Sequence, residues 1–407
     1  GGGGGGGAVE EEAAAASGPV ELKADKPTMM NGTDIAKTGI SSGDVKEAIK
    51  MAAKDKNGLS ELVVNIPKVS GADGYAISIP TDVFTNGADA IIQINSAIGT
   101  IRLPDNMFLR DNLGQLGKDV LFVMSKVNKE DLPADLKDQI GERPVIDIHI
   151  TANGQNVAWE NQDVPVTLSV DYTPTQAELE HPDNIVIWYI DRAGNAIQVP
   201  SGRYDPVTGK VTFNTTHFSQ YAVGYYSNKL ADISGYSWGQ KEIVSMVGKG
   251  VIRGKTDTTF EPGGSITRAD FLYGLIRALG LSSSDRGNFE DINITDYYYH
   301  EIAVAKQLGI STGNGNNRFG PNEAITRQDM MTLIARALKL TNKLQDQGES
   351  ADLNQFSDNK LIALYARDSI VKVVAEGFVK GDGKNINPLK NTTRAEAAVI
   401  LYRIYNK

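Results

Sequence analysis

From Val20 to about Asn228 the apolar positions fall in short runs separated by turn residues: Leu62 to Ile66, Tyr75 to Ile79, Ile91 to Ile94 and Val120 to Met124. Runs of this length predict β-strands. Val145 to Ile150, Val164 to Val170 and Ile185 to Ile190 continue the pattern, with Asn153-Gly154, Ala193-Gly194-Asn195 and Thr208-Gly209-Lys210 as hairpin connections. One amphipathic helix is expected from about Asp44 to Lys54, after Ser42. The region 20–228 therefore predicts a mainly-β, sandwich-like module, as one sandwich or two small ones meeting near residue 142. Ahead of it, residues 1–19 are a glycine run, Glu10 to Glu12, Ala13 to Ala16 and Ser17-Gly18-Pro19, which read as a flexible tether.

After Asn228 the period becomes helical. Phe271, Leu272, Leu275, Ile276 and Leu279 share one helix face, as do Met330, Met331, Ile334 and Leu338. The same stretch is also self-similar, in units at 229–283, 284–346 and 351–407. Each opens on an aspartate (Asp232, Asp291, Asp358), followed six or seven residues later by an aromatic (Trp238, Tyr297, Tyr365). A Gly-x-x-x-Gly pair comes next (Gly250/Gly254, Gly309/Gly313, Gly377/Gly381), then a proline (Pro262, Pro321, Pro388). Five residues after each proline stands Thr-Arg: Thr267-Arg268, Thr326-Arg327 and Thr393-Arg394.

This order of marks, three times over, resembles the S-layer homology family. The resemblance covers about 180 of the 407 residues and implies an all-α, pseudo-threefold assembly of three repeats. Departures from the family's Thr-Arg-Ala-Glu helix start are Asp270 and Asp329 in place of Glu, and Gln328 in place of Ala. The third unit has a loop shorter by one residue, and Ile386 where the others have Phe260 and Phe319. Those changes single out the third pocket, and with it Arg394, as the altered one.

Thr267, Thr326 and Thr393 are expected to cap helices, with the acid three residues on completing a capping box, less well for Asp than for Glu. Capping does not explain the arginines, because a cation at a helix N-terminus opposes the macrodipole. Free N–H groups beside a guanidinium suit a carboxylate ligand, and the resemblance implies that Arg268, Arg327 and Arg394 bind acidic, pyruvate-bearing sugars of a secondary cell-wall polymer in grooves between repeats. The alternative is that each arginine pairs with an acid of a neighbouring unit. Trp238, Tyr297 and Tyr365 either stack on sugar or seat a helix in the core. Asp232, Asp291 and Asp358 are helix caps or hydroxyl ligands. Gly254, Gly313 and Gly381 permit a tight turn or a close approach to ligand. Arg277, Arg336 and Arg403 read as structural or solvent-facing.

Composition narrows the partners. The net charge of -9 argues against a broad nucleic-acid or anionic-membrane surface, and no run approaches the ~20 apolar residues of a membrane helix. With no cysteine there is neither a disulfide nor a thiolate site. His149, His181 and His300 are isolated, no metal-ligand spacing or phosphate loop appears, and no cofactor is expected. His217-Phe218-Ser219 resembles the cleavage sequence of self-cleaving β domains, with Ser219 as nucleophile and His217 as proton carrier. The opposing reading is an ordinary last strand. The chain starts at Gly1 without a signal peptide, which suggests a processed or excised segment that could meet surface-protein partners upstream. Together these features predict a non-enzymatic, extracellular anchor binding the wall polysaccharide of a Gram-positive type bacterium. The alternative is a cell-surface hydrolase or adhesin whose site lies in the β module.

Overall fold

The computed structural model describes residues 18–85, 87, 89–109, 113–284, 287–344 and 352–407; most of the expected tether, 1–17, lies outside them. Two compact units emerge: 18–125 with 148–159, and 126–147 with 160–407.

In the first unit, Val20–Leu22, Ser60–Asn65, Ala90–Asn95 and Gly99–Pro104 form one ladder. Thr28–Met29, Ile35–Gly39, Gly74–Pro80 and Asp119–Lys126 form another. Alternation puts Leu62, Val64, Ile92 and Ile94 inward from the first ladder and Ile77, Ile79 and Phe122 inward from the second. Val20–Leu22 and Ala90–Asn95 both run parallel to Ser60–Asn65, and Ile35–Gly39 runs parallel to Gly74–Pro80, so this is no all-antiparallel sandwich. The helix Ser42–Met51 is capped by the Ser41 hydroxyl on the Asp44 N–H and provides one of the crossovers that parallel pairs require.

The second unit holds a smaller sandwich and the repeats. Val166–Asp171, Lys210–Thr215 and Arg203–Asp205 make one ladder. Ala196–Val199, Ile185–Ile190, Gln220–Tyr225 and the first residues of Val145–Ala152 make the other. Phe213 and Tyr221, one from each, meet with ring centroids 4.9 Å apart. This sandwich packs on the repeats. Lys241 and Tyr402 both bind the Asp183 carboxylate, at 2.9 and 2.8 Å. The buried Lys249 amine donates to the carbonyls of Ile185 and Gly202 at 3.0 and 2.8 Å.

Each repeat contributes two helices: Gln240–Gly248 and Arg268–Leu279, Tyr299–Gln307 and Arg327–Leu340, Arg367–Ala375 and Arg394–Asn406. Their inner faces share one core that includes Phe271, Met331, Ile334 and Leu401. The expectation of an all-α repeat region is nevertheless wrong. Between its helices each repeat runs an irregular loop whose turn needs positive φ (Glu261 56°, Gly320 72°, Asn387 55°), a conformation no helix contains. The axis itself is lined by β-type bonds in a closed cycle. Ile266 N–H donates to Thr392 O at 2.9 Å, Thr392 N–H to Ile325 O at 3.0 Å, and Ile325 N–H to Ile266 O at 3.1 Å.

Two predictions follow from this packing. Removing residues 352–407 opens the cycle and bares Met331 and Ile334, so thermal unfolding followed by circular dichroism is expected to show a lower melting temperature for the remaining two repeats. Burial pushes the Lys249 amine down to about 7, against the attraction of Asp183 and with the repulsion of Arg203. Between pH 7 and the usual lysine value of ~10.4 the unfolded chain therefore binds more protons than the folded one, and stability rises with pH. Relative to Lys249→Met, the wild type is expected to gain up to ~1.4 kcal/mol per pH unit in that window. Urea midpoints at pH 7 and pH 9 measure it.

Candidate functional site: three grooves between the repeats

The helix-starting threonines cap as expected: Thr267, Thr326 and Thr393 accept the N–H of Asp270, Asp329 and Glu396 at 3.0, 3.3 and 3.2 Å. The reciprocal bond forms at Glu396, which accepts the Thr393 N–H at 2.8 Å. Asp270 and Asp329, shorter by one methylene, turn outward to other partners.

The N–H groups at these helix starts are not free for a ligand. Arg268 and Ala269 donate to Glu323 O and Pro321 O of the second repeat. Arg327 and Gln328 donate to Lys390 O and Pro388 O of the third. Arg394 and Ala395 donate to Gly264 O and Pro262 O of the first. The guanidinium groups follow the same cyclic order. The Nε atoms of Arg268, Arg327 and Arg394 donate to Phe319, Ile386 and Phe260 carbonyls at 3.1, 3.0 and 2.7 Å. Each arginine then faces the acid of the next repeat: Asp329 at 3.8 Å, Glu396 at 3.6 Å and Asp270 at 3.3 Å. Their side chains are 13, 10 and 2 % exposed in that order. Pairing with a neighbouring unit's acid is thus what the arginines do.

The exchange between repeats also reassigns the altered loop. Ile386 lies against Arg327, not Arg394, and replaces the ring face that Phe319 and Phe260 offer Arg268 and Arg394 at 5.0 and 4.7 Å. Arg394 is the most buried of the three. Gln328 has a role that alanine could not fill, since its side-chain carbonyl accepts the Ala363 N–H at 3.1 Å.

The carboxylates of Asp232, Asp291 and Asp358 are engaged by loop backbone and cap no helix start. Each clamps its own repeat's loop by accepting two successive N–H groups: Phe260 and Glu261, Phe319 and Gly320, Ile386 and Asn387, at 2.7 to 3.0 Å. Burial pushes Asp232 and Asp291 up, but those bonds outweigh it and hold both below the usual carboxylate range. Gly254, Gly313 and Gly381 sit where a Cβ would fall 2.3 to 2.5 Å from the carbonyls of Thr256, Arg318 and Asn385; the tight turn accounts for them. Arg277, Arg336 and Arg403 are structural, donating to Gly250, Ile310 and Phe378 carbonyls.

The aromatics are not core residues: Trp238, Tyr297 and Tyr365 are 56, 45 and 57 % exposed. Tyr297 donates to Asp270, and Tyr365 to Asp329 at 2.5 Å. Burial, then the bond to Asp329, pushes the Tyr365 phenol up to about 12, so it stays a donor at neutral pH. Two grooves therefore draw on all three repeats, Asp270 with Arg394 and Tyr297 and Asp329 with Arg268 and Tyr365, while Glu396 faces Arg327 in the third.

Sequence reasoning missed the residue before the second glycine of each Gly-x-x-x-Gly pair, which is Arg253, Thr312 and Lys380. Arg253 lies over the Tyr297 ring at 4.2 Å, and its carbonyl accepts from Arg394. Aligning the three repeats by their glycines exposes this position. At this position the first and third repeats carry a cation and the second an uncharged threonine.

The self-cleavage pair is not assembled. Ser219 Oγ donates to Ile190 O at 3.4 Å, and the His217 Nε2 is buried without a partner, its ring set against Tyr189. Among the described residues no cluster of His, Asp or Glu could hold a metal, and no helix is long and apolar enough to cross a membrane.

A ring of three helix-pair repeats with shared grooves defines a class of wall-attachment module. Residues 229–272, 288–331 and 355–398 match the S-layer homology domain, so the chain carries three of these domains. It is similar over 383 residues, at 30 % identity, to an amylopullulanase of Thermoanaerobacterium thermosulfurigenes, a match covering 93 % of this chain and 19 % of that enzyme. Exoglucanase XynX of Acetivibrio thermocellus is 30 % identical over 42 % of this chain and 16 % of its own length. The surface-layer 125 kDa protein of Lysinibacillus sphaericus is 32 % identical over 43 % and 14 %. The chain thus spans under a fifth of the length of each of these relatives. It is a cell-surface protein held at the wall through its S-layer homology domains. The expectation of a non-enzymatic protein is corrected by these comparisons, which include several glycoside hydrolases and a likeness to one of them that covers 93 % of this chain.

Removing Arg394 leaves the carbonyls of Phe260 and Arg253 without this donor and the Asp270 carboxylate without its cation. Arg394→Ala is expected to destabilise the repeats by about 3–5 kcal/mol, as for a broken buried pair, and Arg268→Ala by less, because its ion pair is longer and more exposed. Urea unfolding followed by circular dichroism measures both.

Proposed function

We propose that this chain belongs to a cell-surface polysaccharide hydrolase, with the repeat grooves holding it to an acidic, pyruvate-bearing secondary wall polymer. The observation carrying the ligand reading is the Arg253 guanidinium lying over the Tyr297 ring at 4.2 Å beside the Arg394–Asp270 pair. In the Asp270 groove, Arg394 neutralises Asp270, and Arg253 adds a second cation beside the half-exposed Tyr297 ring. A ring face flanked by an uncompensated guanidinium suits a sugar that carries a carboxylate. The buried arginines shape this floor, while Arg253, Lys380 and the aromatics supply the contacts. The hydrolase reading rests on the extent of the likeness to the amylopullulanase, which makes branched α-glucan the substrate class.

Substituting the exposed aromatics tests attachment without disturbing the ring. The triple variant Trp238→Ala, Tyr297→Ala, Tyr365→Ala is expected to keep its melting temperature within a few degrees and to sediment with cell walls roughly tenfold more weakly. Arg253→Gln and Lys380→Gln are expected to weaken it further, whereas Thr312→Gln is not. Walls stripped of their anionic polymer are expected to retain none of the wild type, and unchanged retention on them would refute the ligand assignment. Release of reducing sugar from pullulan by the wall-bound protein tests the catalytic half.

A further inference from the structure

Beside the first inter-repeat groove, the second sandwich and the glycine loop of repeat 1 enclose another open groove, of about 730 Å³. That lies within the ~300–1,000 Å³ of a ligand pocket, so it has room for sugar units of a chain that passes through it. Trp188 and Tyr225 line one wall, Tyr226 and Lys229 the turn into the repeats, and Arg253 and Lys255 the other wall.

The sequence lays two of these aromatics flat. Trp188 shares a sheet face with Ala222 and Gly224, and a Cβ on Gly224 would fall 2.7–2.8 Å from the indole ring atoms. Glycine there lets the indole lie down on the sheet, where it stays half-exposed. A Cβ on Gly248 would likewise fall 2.7 Å from Tyr226, so that ring rests on the end of a repeat helix. Gln198, paired with Trp188 across the strands, fastens the wall by donating to Val247 O at 3.3 Å. Against Lys229, Arg253 and Lys255 stands one carboxylate, Asp257. A flat indole in a basic groove is chemistry for a polyanion of sugar rings.

Arg253 joins the two grooves, since it lines this one while covering Tyr297 and bonding Arg394 in the other. We propose that the groove between the second sandwich and repeat 1 is an additional subsite for the anionic wall polymer, whose chain continues past Arg253 onto the Trp188 face. This rests on the wall-polymer reading of the inter-repeat grooves and adds to it a dependence on polymer length.

The test is calorimetric titration of the whole chain with acid-released anionic wall polysaccharide, separated into single repeating units and long chains. The wild type is expected to bind long chains at least tenfold more tightly. Trp188→Ala, and separately the double variant Lys229→Gln, Lys255→Gln, are expected to remove that advantage while leaving the affinity for single units unchanged. Both lysines are exposed, so the double variant retains the fold and speaks even where Trp188→Ala melts early. Wild type and double variant that bind long chains equally would overturn the subsite while leaving the wall reading intact. A wild type that binds neither pool would overturn both. Binding of neutral pullulan lost in Trp188→Ala, with no such loss for the anionic polymer, would assign the groove to glucan and overturn the proposal.

Discussion

The repeat region depends on one constraint: the first two backbone donors of each long helix have no partner within their own repeat. A helix leaves its first N–H groups unbonded, and here the loop carbonyls of the next repeat take them, at Pro321, Pro388 and Pro262. No single repeat satisfies itself, and two would leave one helix start open. Three close the account, because the Ile266, Thr392 and Ile325 bonds return to their origin. Proline fits this loop position, where a carbonyl is needed.

The arginines follow from the same geometry. A guanidinium at a helix N-terminus is unfavourable alone, yet its Nε reaches the same neighbouring loop and its outer nitrogens reach the next repeat's acid. Burial is tolerable because donors and charge are both matched. The grooves form where these exchanges meet the surface, so their floors are common to all three and their rims are not. Arg253, Thr312 and Lys380 differ in charge at one position of an otherwise repeated turn. Ligand preference can therefore change among the grooves without touching the ring.

What the sequence made legible was whatever repeats locally. Thr267, Thr326 and Thr393 cap as their spacing implies, and the apolar faces of Phe271 and Met331 lie in the core. What depends on a partner far along the chain was not legible. Nothing in the Arg394 segment indicates that its contacts lie at Phe260 and Asp270, so the altered loop was assigned to the wrong arginine. The loop clamps of Asp232, Asp291 and Asp358 were hidden for the same reason, since 28 residues separate each from its first donor. In the β region, alternation reveals strands and their inner faces but not their order. The parallel pairing of Val20–Leu22 with Ser60–Asn65 is a matter of topology. An anchor's residues likewise hold no record of the chemistry it anchors, and only the comparisons corrected that expectation.

The second sandwich turns the ring from a self-contained module into part of a larger one. Lys249 enters the sandwich from the first repeat, and Tyr402 and Tyr405 from the third, meeting Asp183, Ile185 and Gly202. Arg203 answers from the other side, stacking on the Tyr405 ring at 3.8 Å. These contacts bind the first and last repeats to the same sandwich, across the junction where the cycle has no covalent link. The sandwich thus fastens the ring at its open end, and the same packing brings Trp188 and Lys229 beside Arg253. The contacts that hold the ring closed and the juxtaposition of Trp188 with Arg253 thus have one structural origin.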